Sequence, residues 1–206
     1  MFFNKGFESG SSVLHKHMQV IPYKSLTSNI LPVEVAAAEQ RKEEGMFELD
    51  QFFGIKHRFF RFGFDYFSLI EEKGEEGINE AVEQIETIYH MCLGELGVDA
   101  NDAEVSYNVY LTPTLLFVVL REKNSVFGEN GEKVDVNTLG FTGTLAVKSA
   151  TDLAFLKLVT PLEILRRVSK SNLNDGKPIF WRLFLNGKTL INLDKIEDHP
   201  QKSSLI

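Results

Sequence analysis

Apolar residues recur along the chain with two different periods, and the changes of period mark its elements. Ile78, Ala81, Val82, Ile85, Ile88, Tyr89, Cys92, Leu93 and Leu96 fall at three- and four-residue steps. That spacing predicts an amphipathic helix over 75–96. Glu75, Glu76 and Glu80 sit at its N-terminal end, where the helix dipole favours anions, and Gly94 and Gly97 bracket its other end. Two apolar runs, 105–111 and 115–121, read as a strand pair around Thr112-Pro113-Thr114. Further strands are expected over 2–4 and 13–22, on either side of a small-residue loop, and over the aromatic run 59–67. Pro32 suits a first helical turn because its missing N–H needs no partner there, so a helix is expected over 33–44. Another is expected over 151–158. Thr160-Pro161-Leu162-Glu163 has the form of a capping box opening one more helix, with Arg166 and Arg167 near its C-terminal end. The stretch 125–133, rich in Gly, Asn and charge, reads as a loop. Residues 178–193 alternate around Asn186-Gly187, a strong short hairpin signal, and 194–206 is a polar tail. No internal repeat is evident. A core over 1–170 and an appended hairpin with its tail over 171–206 are expected.

Composition narrows the class. The 206 residues are 43% hydrophobic and 25% charged, enough to bury the core of one domain. Seven of the 17 phenylalanines lie between Phe52 and Phe67, as an aromatic sheet core would require. A formal net charge of −7 argues against nucleic acid or an anionic membrane as partner, since both select a basic surface. It leaves room for a small polyphosphate ligand, which needs only local donors. The single cysteine, Cys92, excludes an intramolecular disulfide and a Cys-rich zinc site, and its helix position reads as core. No apolar run reaches 18 residues, Met1-Phe2-Phe3 leads at once into polar residues unlike a signal peptide, and a reducing cytoplasm is the default.

The candidate chemistry lies near the start. Asn4-Lys5-Gly6-Phe7-Glu8-Ser9-Gly10-Ser11-Ser12-Val13-Leu14-His15-Lys16-His17-Met18-Gln19 joins a loop of small residues to an alternating segment. On a strand, His15, His17 and Gln19 would line one face. A loop rich in N–H and hydroxyl groups can hold anionic oxygens. An imidazole can attack phosphorus, and an amide can donate to a phosphate oxygen. Taken alone, each residue also has a plain reading: a structural strand histidine, a half-exposed glutamine, an ordinary turn. His15 and His17 could instead begin a zinc site, but no third histidine or cysteine pair lies nearby in sequence; His57, His90 and His199 could join only through the fold.

The pattern N-x-G-x-x-S-G-x-S-x-x-H-x-H-x-Q resembles the active-site signature of the diadenosine tetraphosphate phosphorylases, or ATP adenylyltransferases, of the HIT-like superfamily. Ser106-Tyr107-Asn108 through Val119-Leu120-Arg121, and Asn137-Thr138-Leu139-Gly140-Phe141-Thr142-Gly143-Thr144-Leu145-Ala146-Val147-Lys148, resemble two further blocks of that family in its order. The resemblance runs from Phe2 to about Val168. It implies an α+β HIT-like fold, an antiparallel-rich sheet with flanking helices.

It also implies the chemistry: cleavage of diadenosine tetraphosphate by phosphate to ATP and ADP through a nucleotidyl–histidine. His17 would be the nucleophile, with His15 organising the phosphate site and Gln19 donating to a phosphate oxygen. Gly10, Ser11, Ser12 and Val13 match the phosphate loop, and Asn4 matches a ligand-binding asparagine. Asn137, Thr138 and Leu139 match a nucleotide-contacting stretch, Thr144 stands where the family commonly has methionine, and Lys148 matches a phosphate-pairing lysine. Pro113 and Leu120 also depart from the family pattern. No protein-held metal is implied; a divalent cation, Mg²⁺, would travel with the substrate. Dinucleoside polyphosphates, ATP, ADP and phosphate are the implied partners. Family members carry a long segment ahead of the signature, whereas Met1 stands almost on it. That start is expected to leave the Phe2 strand with an exposed edge, favouring a homodimer and weak nucleotide binding. A nucleotide-sugar phosphorylase, or an inactive nucleotide-binding or interaction protein, are the alternatives.

Overall fold

The computed structural model describes residues 1–11, 17–22 and 31–172, together with the backbone of 184–185 and 188–189. The chain divides into two compact units, Met1–Asn172 and Leu173–Ile206.

The first unit is built on strands β1 (Phe2–Lys5), β2 (Met18–Gln19), β3 (Gly45–Phe47), β4 (His57–Arg61), β5 (Ser106–Leu111) and β6 (Leu115–Arg121). They form one sheet in the order β2-β1-β5-β6-β4-β3, antiparallel at every pairing. Helices cover both faces, which is why β6 reads as an unbroken apolar run and is buried at every position. Tyr107, Val109, Leu116, Val118 and Leu120 pack beneath Ile88, Cys92, Leu93 and Leu96 of helix α3 (Glu75–Glu95). The residues between them face the other way. There Phe59 stacks on Phe117 at 4.2 Å, joined by Val33, Ala37, Phe52, Phe141, Ile164 and Val168.

That second face carries α1 (Pro32–Gln40), a hairpin of β7 (Ser125–Phe127) and β8 (Lys133–Asp135), the one-turn helix α4 (Thr138–Phe141), α5 (Ala150–Val159) and α6 (Pro161–Val168). In the second unit, Phe184–Leu185 pairs with Lys188–Thr189 as β9 and β10, on either side of the expected turn.

Several expectations are corrected. The aromatic run does not continue as strand to Phe67: β4 stops at Arg61, and Asp65 caps helix α2 (Tyr66–Lys73) by accepting from the Phe67 N–H at 2.9 Å. Phe59, Phe60 and Phe62 are buried as expected, but Phe53 and Phe67 are 42% and 54% exposed. The stretch 125–133 begins the β7–β8 hairpin. The helix begun at Pro32 ends at Gln40. Thr160 occupies the cap position of α6, but its side chain makes no capping bond and its φ is +76°, so the capping box is absent. β1 is not left with an open edge; β2 and β5 flank it, and the Met1 ammonium donates to the Leu111 carbonyl at 2.8 Å. The edges are β2 and β3.

Candidate functional site

The register of β1 sets the site. Phe2 faces Gln19 and Phe3 faces Met18, and His17 directly precedes β2. Asn4 in turn faces Asn108 on β5. Directly opposed residues share a face, as do alternate residues of a strand, so Asn4 and Asn108 form a polar row with Gln19 on the same face. His17 and Gln19 are both exposed.

Asn4 is fixed by the donors around it. Its Oδ1 accepts from Asn108 Nδ2 at 2.7 Å, from the Thr138 N–H at 3.1 Å and from the Thr138 hydroxyl at 2.7 Å. This orients the amide and leaves Nδ2 as its donor group without a partner among the described residues. Asn108 Nδ2 also donates to the Ser9 carbonyl at 2.8 Å, and Asn108 Oδ1 accepts from Arg121. One side chain thus ties β1, β5 and the loop together.

The loop from Gly6 to Ser11 is a single 3-10 turn, Phe7–Ser9. Gly10 closes it at φ +79°, and a Cβ there would lie 2.6 Å from the Val136 carbonyl; only glycine allows this conformation and this approach. The approach brings the loop against 136–138, so two stretches far apart in sequence become neighbours. Asn137 caps α4 by accepting from the Leu139 N–H at 3.0 Å. The N–H groups of Ser9 and Gly10 bond inside the turn, to Gly6 and Phe7 carbonyls at 3.3 Å, and so are not donors for a ligand.

Under the loop lies Arg121, 4% exposed. Nε donates to the Val168 carbonyl at 3.2 Å. One terminal nitrogen donates to the Ser9 carbonyl at 3.3 Å and to Asn108 Oδ1; the other donates to Lys123 and Val136 carbonyls at 2.7 and 2.9 Å. Its guanidinium carbon lies 5.1 Å from the Phe141 ring centre. Burial pushes its pKa down, and the charge of Glu8 raises it in part. Glu8 itself accepts from the Asn124 N–H at 3.0 Å.

The structure therefore gathers Asn4, the Ser9–Gly10 turn, Asn137 and Thr138, with His17 and Gln19 brought alongside by β2. It does not gather them all. Lys148 pairs with Asp135 at 2.6 Å, and Lys133 meets the same carboxylate at 2.7 Å. Thr144 is exposed beyond α4. Ser11 is half-buried, and Leu139 packs against the core. Ser12, Val13 and His15 lie outside the described residues. Sequence reasoning missed Arg121 and Asn108 as site-builders. The available signal was a polar residue on each of two facing strands that otherwise read as apolar.

The zinc alternative finds no support in His57, which is 1% exposed. Its Nε2 accepts from the Leu49 N–H and its Nδ1 donates to the Ile55 carbonyl, both at 2.8 Å. His90 lies on α3, 4.0 Å from Glu86. No group of three His, Cys, Asp or Glu side chains suited to a metal occurs among the described residues. Cys92 is buried, and desolvation pushes its thiol up to about 12. Among the described residues no helix is long and apolar enough to cross a membrane.

A six-stranded antiparallel sheet flanked by helices, with a polar row beside a glycine-closed loop, defines a HIT-like α+β fold. The sequence model of the ATP adenylyltransferase C-terminal domain matches residues 55–171, more than half of the chain, and the chain belongs to that family. Among solved structures it is similar to yeast Ap4A phosphorylase Apa2 in complex with AMP, at 20% identity and a TM-score of 0.50, over 85% of this chain and 57% of that one. The same yeast enzyme in complex with Ap4A (diadenosine tetraphosphate) gives 19% identity and a TM-score of 0.54, over 82% and 54%. The likeness to these structures is one of fold, and the chain spans little more than half their length. The family match begins beyond β1 and β2. A search of curated proteins returns no match.

Proposed function

We propose that this chain carries the phosphate-binding and nucleophilic part of a dinucleoside polyphosphate phosphorylase. The single observation that carries the reading is the pairing of β1 with β2, Phe2 with Gln19 and Phe3 with Met18, which runs the strand that directly follows His17 alongside the strand that carries Asn4, next to a loop held by Asn108. In the proposed reaction an imidazole nitrogen of His17 attacks the α-phosphorus of diadenosine tetraphosphate. A P–N bond forms, the P–O bond to the β-phosphate breaks, and ATP leaves. An oxygen of inorganic phosphate then attacks the adenylyl–histidine, the P–N bond breaks, and ADP is released.

Covalent catalysis divides one difficult displacement into two. Negative charge spreads over the phosphoryl oxygens in each transition state, and donors aimed at them lower the barrier. The donors proposed here are the Asn4 amide and the Gln19 amide. The substrate enters as its Mg²⁺ complex, the cation held by the polyphosphate itself. Lys148 would have to exchange Asp135 for substrate before it could contribute.

Isotopic phosphate tests the reaction class. Incubation of the chain with diadenosine tetraphosphate and ³²P-labelled phosphate is expected to place label in the β-position of ADP, with unlabelled ATP as co-product. AMP in place of ADP would mean hydrolysis. Binding of diadenosine tetraphosphate with no product would favour the inactive nucleotide-binding reading.

A further inference from the structure

We propose that Arg121, Asn108 and Asn4 form a one-way amide relay that carries the positive charge of a buried guanidinium to the phosphate position, making Arg121 and Asn108 positioning residues of the site. The inference rests on the reading given under Proposed function.

The order of donors and acceptors carries it. Arg121 donates to Asn108 Oδ1, Asn108 Nδ2 donates to Asn4 Oδ1 at 2.7 Å, and Asn4 Nδ2 is left without a partner among the described residues. Each amide accepts on its oxygen and gives on its nitrogen, in one direction. An amide whose oxygen accepts from a cation becomes a better donor at its nitrogen, and successive bonds polarise one another in a low-dielectric interior. The chain of bonds ends on β1, the strand that β2 pairs with directly after His17.

The charge at its head is offset only in part, by Glu8, which makes no ion pair with it among the described residues. Arg121 is 4% exposed and makes no salt bridge among the described residues. Its N–H groups go to four backbone carbonyls and one amide oxygen, all of them neutral acceptors. A buried cation with neutral partners keeps its field, and an anion arriving nearby supplies what the fold withholds. Lysine could not take the place, because three donors on one nitrogen cannot span five acceptors set around a planar fork.

Asn108→Asp separates the relay from mere folding. The carboxylate still accepts from Arg121 and neutralises it in an ion pair, so the buried arginine keeps a partner. It has no N–H to give to Asn4 or Ser9. Calorimetric titration of the whole chain with AMP, inorganic phosphate and adenosine is the test, run alongside Arg121→Lys. In Asn108→Asp, affinity for AMP and phosphate is expected to fall at least tenfold with adenosine unchanged and the melting temperature near wild type. Arg121→Lys, where it folds, should show the same anion-selective loss. Equal losses for AMP and adenosine would reduce both residues to packing, and wild-type AMP affinity in Asn108→Asp would overturn the relay. The same holds if the wild-type chain binds neither AMP nor phosphate. Anion-selective loss without any phosphorolysis in wild type would uphold the relay and sink the proposed reaction. Phosphorolysis with unchanged AMP affinity in Asn108→Asp would do the reverse.

Discussion

His17 and His57 lie toward opposite ends of the strand order. Asn4 faces Asn108, Asn108 faces Val119, and Val119 faces His57, while His17 directly precedes β2, the strand beside β1. They share a residue type, and their surroundings differ. His57 is sealed among Phe52, Phe59 and Phe117, with ring centres 5.5, 5.7 and 6.3 Å away. Both its nitrogens are consumed by backbone, and burial lowers its pKa. His17 is exposed and directly precedes the edge strand β2. A histidine with both nitrogens bonded in an aromatic core can only hold the fold together. One at the exposed edge of the sheet can meet a ligand.

The largest expected effect is at the polar end. His17→Ala should reduce phosphorolysis by at least about 10³-fold, as for loss of a nucleophile. Its melting temperature should stay within about 2 °C of wild type, because exposed positions contribute little to stability. Added imidazole should partly restore turnover in His17→Gly. Near-wild-type rates in His17→Ala would remove the covalent step.

Gln19→Ala should slow turnover by roughly one to two orders of magnitude, the scale of one lost transition-state donor. A change confined to thermal stability would assign Gln19 to the strand alone.

At the apolar end the effect is on stability and follows pH. The folded pKa of His57 is lowered, so its unfolded form binds a proton more readily. The neutral ring therefore contributes its full stability above an unfolded pKa of about 6.5, and that contribution is lost as pH falls through the lower folded value. Between the two values stability should drop by up to about 1.4 kcal/mol per pH unit. Urea unfolding at pH 7, 6 and 5 should show that slope in wild type and a flatter one in His57→Gln. Identical slopes would mean that His57 does not titrate on unfolding. The smallest effect should come from removing residues 174–206: AMP affinity is expected to change less than about threefold, since no residue of the polar row lies there. Loss of binding in a truncated chain that still folds would bring the tail into the site.

How legible this contrast was in the sequence depended on the range of the forces involved. The α3 helix and the β5–β6 pair showed in apolar spacing because each is set by its own residues. Helix α2 did not, because its start depends on one Asp65 cap inside an aromatic run that otherwise reads as strand. The β7–β8 hairpin was hidden by a polar, Gly-rich composition that normally signals a loop. The candidate nucleophile, the amide at 19 and the Gly10 loop were visible in one short motif and through its resemblance to a family. Arg121 was seen only as the end of a strand. A buried arginine with neutral partners reads like any charged strand terminus until Ser9, Val136 and Val168, remote from it and from one another in sequence, are brought around it. Lys148 shows the opposite limit: its match to a phosphate-pairing lysine could not reveal Asp135 at 2.6 Å.

The central claim, that the exposed His17 is the nucleophile and the buried His57 is not, is most directly tested by covalent capture. The chain should be incubated with ADP labelled at the α-phosphate, from which attack by the histidine would expel inorganic phosphate, then denatured and examined for an acid-labile, base-stable phosphoramidate. Label is expected on wild type and on His57→Gln, mapped to the peptide containing His17, with none on His17→Asn. A labelled His17→Asn chain, or label mapping away from that peptide, would contradict the claim.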